Sequence, residues 1–278
     1  MVQAFLTTLL ATVFLAGWLM VASIFGWLTG GVSLTLSAWV GQFTPAIATL
    51  LIRWFRREKW TDAGFRFSSF YWYFKAWVTA IALFISAFAI SALLGWGTVA
   101  RSWSDIAVRA KSLGFVSLSP EPVGIIGFML FSLFVLPLLL SFFALGEEIG
   151  WRGYVLPNLL PLGRRHALII SGLLGSVWHI PLVLVGQAYP GHRVTGLLLI
   201  FPFITGVWII LGYFRLGSGS VFVSTLLHGT LNAQMIGPAV LIVAISSPIY
   251  GGFMGIAGIV IVWIAALWCL RFNREIVW

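Results

Sequence analysis

The chain has 278 residues, of which 60% are hydrophobic and only 8% are charged. A soluble domain carries about 25% charged residues, so this composition excludes a water-soluble fold and indicates that lipid is the solvent for most of the surface. The formal net charge of +9 comes from basic residues near the ends of apolar runs. That distribution favours anionic lipid headgroups, and not nucleic acid, as the partner.

Apolar runs that are long enough to cross a bilayer, about 20 residues each, recur along the chain. They predict an all-α, polytopic membrane protein with about eight transmembrane helices in a single membrane domain, residues 1–278. The predicted spans are residues 4–28, 34–52, 70–95, 123–156, 167–186, 195–214, 220–237 and 250–270. No basic region precedes the first run, so we expect a membrane span there and not a cleaved signal peptide.

The distribution of Lys and Arg predicts the orientation, because cytoplasmic loops carry an excess of both. With an even number of spans, both termini lie on the same side of the membrane. The residues on that side are Arg53, Arg56, Arg57, Lys59, Arg66, Lys75, Arg164, Arg165, Arg215, Arg271 and Arg274. The opposite side receives only Arg101, Arg109, Lys111 and Arg193. Both termini are therefore predicted to be cytoplasmic.

Polar and ionisable residues inside the spans are few and clustered. Because such groups are costly in lipid, each is a hypothesis for a functional site. They are Glu147, Glu148 and Arg152 in the fourth span, His179 in the fifth, and His228 and Asn232 in the seventh.

Helical spacing separates the two carboxylates of the fourth span. Glu148 and Arg152 are four residues apart and can pair on one face. Glu147 is rotated from Glu148 by about 100°, so it is expected to remain free of that pair. Gly146 and Gly150 also share a face, and two small residues four apart let a neighbouring helix approach closely.

The polar residues of the three spans lie at a similar predicted depth in the membrane. At about 1.5 Å per residue, Glu147, His179, His228 and Asn232 lie at similar distances from one end of their helices. Polar residues also join helices, at about 0.6 kcal/mol per bond, and that is the simpler interpretation for a lone histidine. For the whole set at matched depth, a functional site is favoured.

Several arrangements for hydrolysis are excluded by the residues present. No His-Glu-x-x-His sequence occurs, and the only aspartates, Asp62 and Asp105, lie in predicted loops. Ser218 is separated from His228 by about 15 Å of helix rise. The single cysteine, Cys269, permits no internal disulfide.

A carboxylate and an imidazole that share a water molecule remain possible. No cofactor is predicted, although two histidines and a glutamate also resemble a zinc ligand set.

Three motifs in order, each in a separate span, resemble the CAAX prenyl protease and bacteriocin-processing family of membrane glutamic endopeptidases. The first motif, Glu-Glu-x-x-x-Arg, matches Glu147, Glu148 and Arg152. The second and third match His179, and His228 with Asn232. Gly175 stands where the second motif has Phe. The similarity covers about residues 120–240, the expected catalytic core.

The resemblance implies an eight-helix fold and an intramembrane endopeptidase that cleaves a membrane-associated peptide, including prenylated CAAX-type peptides. Glu147 and His179 would activate the water, and His228 and Asn232 would form the oxyanion hole. Glu148 and Arg152 would orient the site. The partners expected are therefore the lipid bilayer and a peptide or prenylated-protein substrate.

Two other functions are considered beside the endopeptidase. One is a non-catalytic membrane module, such as a bacteriocin immunity protein, that uses the polar cluster to bind a partner. The other is a transporter with a proton relay inside the membrane, which would be expected to show an inverted repeat of broken helices. Cleavage of prenylated and unprenylated peptides by the purified protein discriminates between them.

Overall fold

The computed structural model describes residues 1–28, 31–113 and 121–271. Within these ranges the fold is helical, and one antiparallel pair of short strands is the only sheet. The elements of the first half are α1 (Val2–Ile24), α2 (Gly31–Gly41), α3 (Thr44–Arg56), α4 (Phe70–Leu93), β1 (Gly97–Val99), α5 (Trp103–Ser112), α6 (Pro122–Phe134) and α7 (Leu136–Gly150).

The second half begins with one turn of π-helix, Trp151–Val155, which continues directly from α7. The remaining elements are α8 (Leu156–Leu159), a 3₁₀ turn (Leu160–Leu162), α9 (Arg164–Leu184), α10 (Arg193–Ser218), α11 (Val221–Gln234), α12 (Pro238–Ile242), β2 (Val243–Ile245) and α13 (Ile256–Arg271). β1 pairs with β2 in the register Thr98 to Ala244.

The prediction of an all-α polytopic membrane protein is confirmed. In the described residues, five helical stretches are long and apolar enough to cross a bilayer. They are α1, α4, α9, α10 and the stretch Pro122–Leu162, which contains α6, α7 and α8. The predicted count of eight is not confirmed, because α11 has 14 residues and α13 has 16, fewer than the roughly 20 that a span requires.

The predicted span 34–52 is wrong as a single helix. It is broken between Gly41, where α2 ends, and Thr44, where α3 begins. Pro45 lies in the first turn of α3, a position where proline is well tolerated because its missing N–H would have no helical partner. The apolar run therefore predicts burial correctly and misses the break in the backbone.

The break between α2 and α3 packs directly on α7 through the two glycines that the sequence predicted to permit close approach. A Cβ on Gly146 would lie 2.8 Å from the carbonyl oxygen of Gln42, and a Cβ on Gly150 would lie 2.4 Å from Cβ of Pro45. Real Cβ atoms do not approach other atoms so closely. The absence of side chains at Gly146 and Gly150 therefore brings α3 against the helix that carries the two glutamates.

Helix α10 is the centre of the bundle. All its residues from Phe203 to Leu216 are buried, as expected for a helix that is apolar on all sides. It packs against α9, α13 and α11. Gly172 of α9 permits the close contact between α9 and α10, because a Cβ at this position would lie 2.8 Å from the backbone of Thr205.

One end of the bundle, here called the basic face, consists of the loop 57–69, the α10–α11 junction and the end of α13. Arg66 Nε donates to the carbonyl oxygen of Gly219, and Arg165 Nε donates to that of Leu270. The backbone N–H of Val221 donates to the carbonyl oxygen of Gly64. Arg274, counted in the sequence among the basic residues of this side, lies outside the described residues.

The other end, here called the ladder face, consists of β1, β2, α5, the loop 185–192 and the segment 246–255. Arg109 of α5 donates to the carbonyl oxygens of Leu241 in α12 and of Thr98 in β1. The hydroxyl of Tyr189 donates to the carbonyl oxygen of Met254, and the N–H of Ser246 donates to that of Trp96. These bonds join the loops at this end into one surface.

The close approach at Gly150 predicts a large effect of a single methyl group. Gly150→Ala should lower the free energy of unfolding by about 1–3 kcal/mol, the usual cost of overpacking a tight contact. The measurement is the thermal unfolding of the purified chain. Gly124→Ala is the matched control, because a Cβ on this α6 glycine meets no atom within 4 Å. Equal melting temperatures of the two variants would contradict the proposed packing.

The excess of basic residues at the basic face predicts that this face is cytoplasmic. Reporter fusions after residue 60 and at the C-terminus are both expected to report a cytoplasmic location. An extracytoplasmic signal at either site would overturn the orientation.

Candidate active site

The two adjacent glutamates of α7 lie in different surroundings although both are buried. Glu147 is 2% exposed and Glu148 is 0% exposed. Oε1 of Glu148 accepts a hydrogen bond from Nη1 of Arg152 at 2.9 Å, which is the pairing expected from their spacing. Glu147 instead lines a cavity of about 380 Å³. One carboxylate is thus neutralised within the protein, and the other faces open space.

His228 of α11 connects the two carboxylates. Its Nδ1 lies 2.9 Å from Oε1 of Glu148, and its Nε2 lies 4.0 Å from Oε1 of Glu147. A carboxylate that is paired with Arg152 can only accept, so Nδ1 of His228 carries the proton of the first contact. Glu148 therefore accepts hydrogen bonds from both Arg152 and His228. The spacing of residues along the chain does not predict the contact with His228, which lies on a different helix.

His179 of α9 lies on the wall of the same cavity as Glu147. Its Nδ1 is 2.8 Å from the carbonyl oxygen of Gly175. A carbonyl oxygen only accepts, so Nδ1 donates, and Nε2 of a neutral imidazole is then a free acceptor. The ring is held between two indoles, with ring centroids 4.7 Å from Trp178 and 5.3 Å from Trp208. His179 is thus oriented as a hydrogen-bond acceptor.

Asn232 completes the polar wall of the cavity. It lies one turn after His228 on α11 and lines the same space as Glu147 and His179. Its Nδ2 is buried and has no hydrogen-bond partner among the described residues. A buried amide that donates to nothing is costly, and here it is available to a ligand in the cavity.

All six residues singled out from the sequence therefore meet in one region. Glu147, His179, His228 and Asn232 line the cavity, whereas Glu148 and Arg152 do not. Glu148 reaches the cavity only through His228.

Trp208 of α10 is a central residue of this region that the sequence did not indicate. Its indole lies 4.4 Å from Cζ of Arg152, and its ring centroid is 6.1 Å from that of His228. A Cβ on Gly175 would lie 2.5 Å from Nε1 of Trp208. The glycine that replaces the phenylalanine of the second motif thus makes room for an aromatic ring from a different helix.

Two buried arginines from other helices support the π-helix that carries Arg152. Nη2 of Arg53 donates to the carbonyl oxygen of Gly153, and Nε of Arg215 donates to that of Arg152, both at 3.2 Å. A π turn interrupts the regular α-helical bonding, so carbonyls in it are available to such donors. Asp62 binds both arginines, accepting from Arg53 with its carboxylate and from Arg215 with its carbonyl.

The sequence leaves open a zinc site formed by two histidines and a glutamate. Across residues 1–28, 31–113 and 121–271, no three His, Cys, Asp or Glu side chains are placed to hold a metal ion.

Comparison with known proteins identifies the segment that contains the site. A protein-family model described as "Type II CAAX prenyl endopeptidase Rce1-like" matches residues 127–234. The match runs from within α6 to the last residue of α11 and includes all six site residues. A search of curated proteins finds no match to the chain. Residues 127–234, which contain the whole site, are therefore similar to the Rce1-like family of CAAX prenyl endopeptidases.

Proposed function

We propose that the protein is an intramembrane endopeptidase that hydrolyses a peptide bond with a water molecule held by Glu147 and His179. The observation that carries the proposal is that these two side chains, together with His228 and Asn232, line one cavity. The family of residues 127–234 is a family of endopeptidases, which supports the reaction class.

Glu147 is the general base of the proposed reaction. Its Oε2 accepts no hydrogen bond from the described residues, so it is available to a water molecule. Nε2 of His179 accepts the second hydrogen of that water. The oxygen attacks the carbonyl carbon of the substrate as its proton passes to Glu147. When the C–N bond breaks, Glu147 returns this proton to the leaving amine.

The oxyanion of the tetrahedral intermediate is stabilised from α11. Nδ2 of Asn232 is a free donor. Since Nδ1 of His228 already donates to Glu148, its Nε2 donates as well only when the ring is an imidazolium. With His228 in that form, two carboxylates face two cations, Arg152 and His228, so the buried cluster is electrically neutral before the reaction.

The substrate of the proposed enzyme is a membrane-associated peptide. Apart from the catalytic groups, the cavity is lined mainly by apolar side chains such as Leu182, Phe203 and Ile204. Such walls favour apolar residues beside the scissile bond. A prenylated CAAX-type peptide is the first substrate to test, because the family description names that class.

Replacement of the base tests the mechanism directly. Glu147→Gln keeps the size of the side chain and removes its ability to accept a proton. Turnover of a cleaved peptide should fall by about two to four orders of magnitude. The melting temperature should be unchanged or higher, because a buried charge is removed. Near-native turnover of this variant would show that Glu147 is not the base.

The adjacent glutamate serves as the matched comparison. Glu148→Gln should lower both turnover and stability, because Arg152 and His228 lose a shared carboxylate. Breaking a buried ion pair costs about 3–5 kcal/mol, so the loss should be visible in thermal unfolding. Equal melting temperatures of the two glutamine variants would contradict the division of roles.

If no peptide is cleaved while Glu147→Gln abolishes binding of a partner, the non-catalytic function is correct.

Because Gly175 and Trp208 are in contact, substitutions at the two positions should have coupled effects on turnover and melting temperature. Gly175→Ala should displace the indole and reduce both turnover and melting temperature. Trp208→Phe, a smaller ring, should recover part of this loss when it is combined with Gly175→Ala. A coupling of about 0.5–3 kcal/mol is expected for residues in contact. Strict additivity in the double-mutant cycle would show that the two positions are independent.

A further inference from the structure

One wall of the cavity comes from the N-terminal half of the chain. At the end of α2 and the turn into α3, Ala38, Trp39 and Gln42 line the same space as Glu147. They lie outside residues 127–234, the segment that matches the family model. The sequence predicts a plain apolar span in this region, so the contribution of this wall to the site arises from the break between the two helices.

The side chain of Gln42 is a polar group that the protein itself leaves unsatisfied. Gln42 is 8% exposed, and its Oε1 is buried without a hydrogen-bond partner among the described residues. A buried acceptor without a donor is costly, and polar groups that a membrane protein keeps at such a cost are typically functional. Because Gln42 lines the cavity, its amide is available to a molecule that enters there.

The backbone of Gln42 is fixed against the helix that carries the proposed base. A Cβ on Gly146 would lie 2.8 Å from the carbonyl oxygen of Gln42, and Gly146 directly precedes Glu147 in α7. The position of Gln42 relative to Glu147 is therefore set by a contact between two backbones, which no side-chain rotation can change.

The same turn is also tied to the helix that carries His179. The hydroxyl of Thr44 donates to the carbonyl oxygen of Gly41 at 2.8 Å and accepts from Nε1 of Trp178 at 3.1 Å. Trp178 directly precedes His179 in α9. A ligand that bonds to Gln42 is therefore held in a fixed position relative to both groups that bind the water, as a catalytic site requires.

Four side chains that line the cavity each present a buried polar atom without a partner in the part of the chain that the structure describes. These atoms are Oε2 of Glu147, Nδ2 of Asn232, Nε1 of Trp208 and Oε1 of Gln42. In the proposed reaction the first binds the water and the second binds the oxyanion, and the indole N–H is a donor. Oε1 of Gln42 is the acceptor that remains, so it is suited to an N–H of the substrate.

A peptide in this cavity supplies such a donor. The main-chain N–H groups of the substrate lose water when they enter, and an unpaired N–H in apolar surroundings is costly. The apolar walls, with Leu182, Phe203 and Ile204, offer no side-chain acceptor. An N–H within a helix is already bonded to the carbonyl four residues earlier, so the donor comes from an extended segment.

We propose that Gln42 is a substrate-binding residue whose Oε1 accepts a hydrogen bond from a main-chain N–H next to the scissile bond. Because the bond is to the main chain, the substrate class is a peptide segment that is extended at the site of cleavage. Cleavage of this segment rests on the proposed endopeptidase function, whereas the bond to Gln42 is a property of binding and can be measured without any reaction.

Peptide binding to the Glu147→Gln protein measures this bond. The probe is a fluorescent, prenylated CAAX-type peptide, and matched peptides carry an ester in place of one amide that flanks the scissile bond, which removes a single N–H. Gln42→Met keeps a side chain of similar length and removes the acceptor. It should weaken binding of the all-amide peptide about three- to tenfold, as expected for one neutral hydrogen bond.

The ester peptides identify the N–H that is bound. With Gln42 present, one of the esters should weaken binding by a similar factor. With Gln42→Met, the same ester should cause no further loss, because the acceptor is already absent. In the protein that retains Glu147, Gln42→Met should raise KM with little change in kcat, the pattern of an interaction made equally in the ground state and the transition state.

Gln234→Met is the matched control for the loss of a buried amide. Gln234 is 2% exposed, its Nε2 donates to the carbonyl oxygen of Ser132, and it is not among the described residues that line the cavity. This variant should lower the melting temperature and leave peptide affinity unchanged. Gln42→Met should leave the melting temperature unchanged or raise it, because no bond within the protein is lost.

Several results would overturn the proposal. They are an unchanged affinity of Gln42→Met, an additive loss at every ester position, failure of the protein with Gln42 to bind any of the peptides, and a melting temperature of Gln42→Met as low as that of Gln234→Met. The proposed function fails on a different result, since near-native turnover of Glu147→Gln refutes the mechanism and leaves the affinities to decide the role of Gln42.

Discussion

The structure of the site depends on the carboxylate of Glu148. A single oxygen of this group accepts from Arg152 on its own helical stretch and from His228 on α11. In the buried interior of the protein, an unpaired charge is expensive, so each of the three residues requires the other two. Glu147, one residue earlier, has a longer contact, 4.0 Å from His228 Nε2, and faces the cavity. Two chemically identical side chains thus lie in different surroundings because their neighbours differ.

Part of this arrangement could be predicted from the sequence because it is local. The pairing of Glu148 with Arg152 follows from four-residue spacing, and the close contact at Gly146 and Gly150 follows from the absence of side chains. The meeting of the polar residues of three helices was also predictable, since lipid forces costly groups to face the protein interior. Their individual catalytic roles stay predictions until the variants are measured.

The rest of the arrangement arises from contacts between helices that are distant in sequence. Trp208 reaches the site only because Gly175 leaves space for it, and nothing in the spacing along α10 indicates this. Arg53 and Arg215 bind carbonyls of the π-helix, a local distortion that composition does not encode.

The central claim is that a water molecule held by Glu147 attacks a carbonyl whose oxygen is bound from α11. The most direct measurement is an experimental structure with a peptide ketone, whose hydrate mimics the tetrahedral intermediate. One hydroxyl is predicted within hydrogen-bond distance of Glu147, and the other within that distance of Asn232 Nδ2 and His228 Nε2. A ketone bound covalently to a protein side chain, or a hydrate that contacts neither Glu147 nor Asn232, would contradict the account.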